Sequence, residues 1–264
     1  MTSNKAGTIA IVALVVAVLA GIAALPQFLV VKPAGNAPTP GGADFDKAVH
    51  AYLVKNPQVL QEMAELLQNR QEQAANAQRS SVFEEHRKAI YDSPNQVVLG
   101  NPQGDVTLVE FFDYNCGYCR KAHSDIDTLL KTDPKLRVVL KEFPVLGPES
   151  VEAARVAVAV HSQAPDKYLA FHDALLSSSD TVDGKAALAE AQKLGLDMDK
   201  LSDALAQPSN SDPMKESHKL AQLLGIDGTP TFIIADTLVP GAVGLPALQK
   251  AIANARACGK AACS

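Results

Sequence analysis

Residues 111–123 read FFDYNCGYCRKAH, with Cys116 and Cys119 separated only by Gly117 and Tyr118. A pair at this spacing serves metal ligation, a structural staple or thiol–disulfide exchange, and the flanking pattern bears on the choice. Residues 106–112 (VTLVEFF) form a continuous apolar run of the kind expected for a strand buried on both faces. Residues 119–130 are helical in pattern, with Ala122, Ile126, Leu129 and Leu130 on one side, and 136–145 (LRVVLKEFPV) read as a second buried strand. Strand, helix and strand in this order imply a parallel crossover. Cys116 then lies at a helix N-terminus, where free N–H groups and the helix dipole favour a thiolate. Cys119, one turn in, is expected deeper and placed to attack a mixed disulfide formed at Cys116.

The competing chemistries weaken on counting. A closed zinc site needs four ligands, and the other two cysteines, Cys258 and Cys263, lie at the far C-terminus. His123 is one turn beyond Cys119 and reads as a surface histidine. A structural disulfide gains little from closing so short a loop. Four cysteines allow three pairings, and proximity favours 116–119 together with 258–263. The terminal pair reads as a staple or a frayed tail, with a redox relay or a metal-holding role as alternatives.

The chain has 264 residues, is 47% hydrophobic and 20% charged, and carries a net charge of −5. That balance supports a real core and gives no electrostatic case for a nucleic-acid or anionic-lipid partner. Residues 6–31 carry no charge and are mostly Ala, Val, Ile and Leu, a run of 26 residues. As a helix it would be roughly 39 Å long against a hydrocarbon core of about 30 Å. The expectation is a signal-anchor over 1–31, with a cleaved signal peptide as the alternative. Either one exports the remainder to the periplasm or extracytoplasmic face, where disulfides persist. A Pro/Gly linker follows at 32–43. Residues 44–92 are helical in pattern, with Asp44 as N-cap and a break at Asn56-Pro57. Leu53, Leu60, Met63 and Leu67 form an apolar patch there, whereas 68–81 turn polar. This segment is expected either to hold the domain off the membrane as a solvated stalk or to mediate homo-oligomerisation.

The main domain is expected over 93–257. Five helical runs occupy about 148–227, strand character returns at 231–235 and 238–239, a last helix covers 246–257, and 258–264 form a cysteine-containing tail. The fold class is α/β: two strands, an all-helical insertion, then two strands and a helix.

Over 96–257 this arrangement resembles the thioredoxin fold of the DsbA-like exported disulfide oxidoreductases. The resemblance rests on the Cys-x-x-Cys at a strand-to-helix junction and on Gly228-Thr229-Pro230-Thr231-Phe232, which is similar to the family's cis-proline loop. It implies that Thr229 and Pro230, with Gly117 and Tyr118, face the substrate chain. It further implies that Glu110, six residues before Cys116, is a buried acid paired with Lys141 from the next strand, and that Glu110 relays a proton to or from Cys119. The alternative is that Glu110 reaches water at the strand end. The stretch AYLVKNPQVLQEM resembles the N-terminal segment of ScsC-like proteins, which implies self-association.

No cofactor beyond the cysteine pair is implied, and the expected partners are unfolded or misoxidised exported proteins and a membrane redox partner. Direction turns on Gly117-Tyr118. Strong oxidases of the family carry a histidine inside the motif, and Tyr118 supplies no positive charge. Gly-Tyr with threonine before the proline resembles DsbC-type isomerases, although no β dimerisation domain precedes the cysteine domain. The reading is an isomerase or shuffling activity, with disulfide oxidase as the alternative. A non-catalytic chaperone or copper-handling protein, binding Cu(I) through thiolates, stands as the reading from another class.

Overall fold

A computed structural model describes residues 42–263. The apolar run at 6–31, read as signal or anchor, and the linker as far as residue 41 lie outside the described residues. Among the described residues no helix is long and apolar enough to cross a membrane.

The chain divides into two compact units, the first ending at Gln68 and the second beginning at Asn69. The first unit holds α1 (Ala43–Lys55) and the start of α2 (Gln58–Glu85). Gly42 occupies the N-cap of α1. Asp44, read from sequence as the cap, instead lies in the first turn, where its charge meets the positive end of the helix dipole. The chain breaks at Asn56, the residue that Pro57 pushes out of helical geometry. Tyr52, Val54, Leu60, Met63, Leu66 and Leu67 are all exposed, and α1 has no buried residue.

In the second unit α3 (Arg87–Tyr91) is followed by β1 (Val97–Gly100), β2 (Val106–Phe112), α4 (Gly117–Thr132) and β3 (Leu136–Glu142). A helical insertion then runs α5 (Pro148–Gln163), α6 (Pro165–Leu176), α7 (Gly184–Lys193), α8 (Met198–Ala206) and α9 (Asp212–Leu224). The chain ends with β4 (Thr231–Ile234), β5 (Thr237–Pro240) and α10 (Leu245–Cys258). The sheet order is β1-β3-β2-β4-β5, with β2 and β3 parallel and every other pair antiparallel. The edge strand β1 was not anticipated. At four residues, ending in glycine, VVLG is too short for an alternation to be read from it.

The sheet is buried on both faces, and strand alternation sorts the residues. Leu108, Phe112, Val138, Leu140, Phe232 and Ile234 pack with Cys119, Ala122, Ile126 and Leu129 of α4, with the insertion and with α10. Val109, Phe111, Val139 and Ile233 face the other way, onto the end of α2, α3 and α9.

Register then overturns one expectation. Glu110 lies beside Leu140, and Phe111 beside Lys141. Because side chains alternate, Lys141 points away from Glu110's face, and the two are not a pair. Lys141, fully buried, donates to Ala89 O and to Glu216 Oε1, the latter at 3.3 Å. Glu216 also accepts from Ser93, Asn95 and Gln96. Lys141 therefore ties α3 and α9 to the back of the sheet. Lys141→Met should destabilise the fold by about 3 kcal/mol, the lower end for breaking a buried pair because Glu216 keeps its other donors. Chemical denaturation reads that loss, and the alkylation rate of Cys116 should be unchanged.

Candidate active site

β2 delivers the chain to a rigid loop. Asp113, almost fully buried, accepts from Asn115 N and Ser150 Oγ on one oxygen, and from Val145 N and Leu146 N on the other. Asn115 bonds both ways with the backbone of Val182, and Arg120 reaches Tyr114 O and Asp180 O. The loop before the cysteines is thus fixed to the segment after β3 and to the insertion. Cys116 sits in extended geometry at the N-cap of α4, and Cys119 lies in the first turn.

The two sulfurs have opposite surroundings. Cys116 Sγ lies 3.2 Å from Thr229 O, and the Thr229–Pro230 peptide is cis. Its pKa is pulled from 9.0 to about 5 by a hydrogen bond from the Cys119 thiol, and further by Thr229 and the backbone N–H groups of Cys119 and Tyr118, against the opposing effect of burial. Cys119 is 0% exposed. Burial pushes its thiol far up, and the hydrogen bond to Cys116 and the charge of Glu110 add to this. One sulfur is an anion at neutral pH and the other holds its proton.

Glu110 is 2% exposed, so it does not reach water at the strand end. Its pKa is raised from 4.5 to about 8, by burial and then by the Cys116 charge. The acid on the neighbouring strand that shares its face is Glu142, which is also buried. Tyr118 is 69% exposed at the mouth of the site, and a Cβ added at Gly117 would meet open space. His123, read as a surface histidine, is mostly buried, and its Nε2 lies 3.3 Å from Asp173 Oδ1. Among the described residues no cluster of three or more His, Cys, Asp and Glu is placed to hold a metal ion.

Cys258 and Cys263 are bonded to each other, whereas Cys116 and Cys119 are free thiols. The bridge folds the tail back on α10, where Asn254 Nδ2 donates to Ala261 O. Arg256, in the last turn of α10, pairs with Asp105 and Asp133. These flank the start of β2 and the end of α4, the ends opposite Cys116. Seven strand residues at about 3.3 Å each put the terminal disulfide on the order of 20 Å from Cys116, too far for direct exchange within one molecule.

The raised Glu110 value gives a stability prediction with a definite sign. Between about pH 4.5 and 8 the unfolded chain ionises this carboxyl while the fold keeps it protonated, so stability falls as pH rises through that window. Glu110→Gln should remove the loss and leave the reduced protein more stable by a few kcal/mol, roughly 1.4 per pKa unit. The gain should be negligible near pH 4 and largest above about pH 8, as read by denaturation at several pH values.

Comparison with known proteins agrees with this geometry. A family model described as a DSBA-like thioredoxin domain matches residues 107–253, and one described as the copper resistance protein ScsC N-terminal domain matches 43–74. A thioredoxin-like oxidoreductase from Silicibacter pomeroyi is 44% identical with a TM-score of 0.62, covering 65% of this chain and 98% of that one. The thiol-disulfide exchange protein α-DsbA2 from Wolbachia pipientis is 31% identical with a TM-score of 0.63, covering 69% and 97% respectively. A Na(+)/H(+) antiporter NhaA of Salinispora tropica is 29% identical over 166 residues, which cover 62% of this chain and only 25% of the antiporter. The chain thus spans about a quarter of the length of that curated relative. A paired thiolate and thiol at a strand-to-helix junction beside a cis-proline, together with a family model covering more than half of the chain, place the chain in the DsbA-like family of thioredoxin-fold thiol–disulfide oxidoreductases.

Proposed function

We propose that this protein catalyses thiol–disulfide exchange on exported proteins, with Cys116 as attacking thiolate and Cys119 as resolving thiol. The observation that carries the reading is the split between the two sulfurs, one held as an anion beside Thr229 and the other buried and protonated. In the reducing direction Cys116 attacks a substrate disulfide. A Cys116–substrate bond forms, and the first substrate sulfur leaves as a thiolate. With Cys116 in the mixed disulfide, the thiolate charge that raised Glu110 is gone; Cys119 then gives its proton to the ionised form of Glu110 and attacks Cys116 Sγ, releasing the second substrate thiolate and closing the Cys116–Cys119 disulfide. Oxidation is the reverse. Shuffling results when a substrate thiol, not Cys119, breaks the mixed disulfide.

Tyr118, which adds no positive charge beside Cys116, supports the shuffling direction. The oxidase reading has its own support, since a low thiol pKa stabilises the reduced enzyme. At about 5, Cys116 falls between the values typical of thioredoxin and DsbA, about 7 and 3.5. The proposal includes a periplasmic or extracytoplasmic location, a membrane redox partner, and self-association through the exposed apolar residues of α1 and the start of α2. The match of 43–74 to the ScsC N-terminal model supports the last of these.

The test uses the protein with and without Cys119→Ser. Cys119→Ser should accumulate a mixed disulfide at Cys116, detected by mass. Absence of both exchange and trapping would refute the enzyme reading, and metal retention with no exchange would favour copper handling instead. Recovery of a scrambled substrate faster than oxidation of a reduced one identifies shuffling, and the reverse order identifies an oxidase. For assembly, Leu60→Asp with Leu67→Asp should lower the solution mass to that of one chain, while an unchanged mass would place the contact elsewhere.

A further inference from the structure

The exchange steps leave the terminal pair Cys258–Cys263 without a role. Its bridge joins residues only 5 apart in sequence, and closing so short a loop removes little chain entropy. The turn it spans is also held without it. Gly259 caps α10 in the left-handed region and its N–H donates to Ala255 O. Asn254 Nδ2 donates to Ala261 O at 2.9 Å, and Ala261 is buried against the core. Cys258 and Cys263 are therefore kept side by side by contacts that do not include their own bond.

The same place suits the reduced state. Cys258 Sγ lies 3.7 Å from Lys260 O, and Cys263 Sγ lies 3.6 Å from Asn254 O. Once the bond is broken, each thiol has a carbonyl to which it can donate. Both residues are exposed, whereas Cys116 and Cys119 are buried. Exposed disulfides are the ones that exchange readily. Cys258 ends α10, where the negative end of the helix dipole disfavours a thiolate, and Cys263 lies beyond the helix. Cys263 is thus the readier nucleophile of the two.

We propose that Cys258–Cys263 is a second redox centre, whose dithiol form reduces the Cys116–Cys119 disulfide of a second copy of this chain. The inference rests on the reading of Cys116 and Cys119 as an exchange pair. A second copy is required because the two centres of one molecule lie at opposite ends of the sheet, and the match of 43–74 to the ScsC N-terminal model supports self-association. The Cys263 thiolate attacks Cys116 Sγ, the accessible sulfur of the active pair. A Cys263–Cys116 bond forms, the Cys116–Cys119 bond breaks, and Cys119 leaves and takes up a proton. Cys258, as thiolate, then attacks Cys263 Sγ, closing the terminal disulfide and releasing Cys116 as a thiolate. Two electrons pass from the terminal pair to the active pair. Of the two thiol protons given up, one ends on Cys119 and one goes to water. The direction follows from the helix ends: Cys116 stands at the start of α4, where a thiolate is favoured, and Cys258 at the end of α10, where it is not. The structure holds the end state of this transfer, with the terminal pair bonded and the active pair free. An external dithiol, reaching the exposed terminal disulfide, reduces it for the next round. The active pair is thereby kept reduced, the state from which shuffling starts.

The experiment mixes two full-length variants. The donor carries Cys116→Ala with Cys119→Ala and is reduced with dithiothreitol, which is then removed. The acceptor carries Cys258→Ser with Cys263→Ser and is oxidised. After mixing, acid quench and alkylation, mass should show the donor losing both of its thiol adducts and the acceptor gaining two, while donor kept alone retains its adducts. Adding Cys258→Ser to the donor should leave a linked species joined through Cys263 and Cys116. Should the donor variant fold poorly, the wild type serves: reduced at both pairs and given one equivalent of diamide, it should end with Cys258–Cys263 bonded and Cys116 and Cys119 alkylated. A donor that keeps both adducts, or a wild type that ends with the active pair bonded, overturns the second centre. If the same acceptor still oxidises dithiothreitol, the exchange reading stands without it; if it does not, both fall.

Discussion

Glu110 carries its carboxyl into an apolar sheet face, where ionising it is costly without a cation close by. Strand register denies it that cation: the lysine of the next strand, Lys141, turns to the back of the sheet, and the neighbour on Glu110's own face is a second acid, Glu142. The behaviour of the cysteine pair follows from this arrangement. A thiolate at Cys116 raises Glu110, and charge on Glu110 raises Cys119. Negative charge is therefore confined to the one sulfur that has donors aimed at it, at the start of α4.

Those donors hold their geometry because the loop before them has no freedom to relax. All four hydrogen bonds accepted by Asp113 are internal, and the Asn115 carboxamide is bonded to Ser150 and Val182. On β4's side of the sheet, Thr229 O lies 3.2 Å from Cys116 Sγ and accepts from its thiol when that is protonated. Three separate stretches of sequence thus converge on one sulfur. The helical insertion contributes to this directly, because Ser150 and Val182 belong to it or its connections.

Much of this was legible in the residues. VTLVEFF and LRVVLKE announce buried strands by composition, and the Cys-x-x-Cys position at a strand end follows from them. Gly225 and Pro213 mark the ends of α9 through known backbone preferences. What escaped is what depends on register and on tertiary contact. The alternation within β3 places Lys141 and Glu142 on opposite faces, but only pairing with β2 says which of them shares the face of Glu110. The Tyr114, Tyr168 and His172 cluster escaped as well. Tyr114 comes from the loop after β2 and the other two from α6, so only the tertiary fold brings them together. β1 was too short to carry a periodic signal.

Charge accounting links these features to redox chemistry. Reducing the disulfide adds two electrons, and with Cys116 at about 5 and Cys119 far higher, one proton goes to Cys119 while one negative charge stays on Cys116. That charge acts on Glu110 and raises its proton affinity. Reduction therefore draws protons towards two groups, and oxidation must return them. Neither Cys119 nor Glu110 has appreciable contact with solvent. Each electron transfer through this site is consequently tied to proton movement through the protein interior.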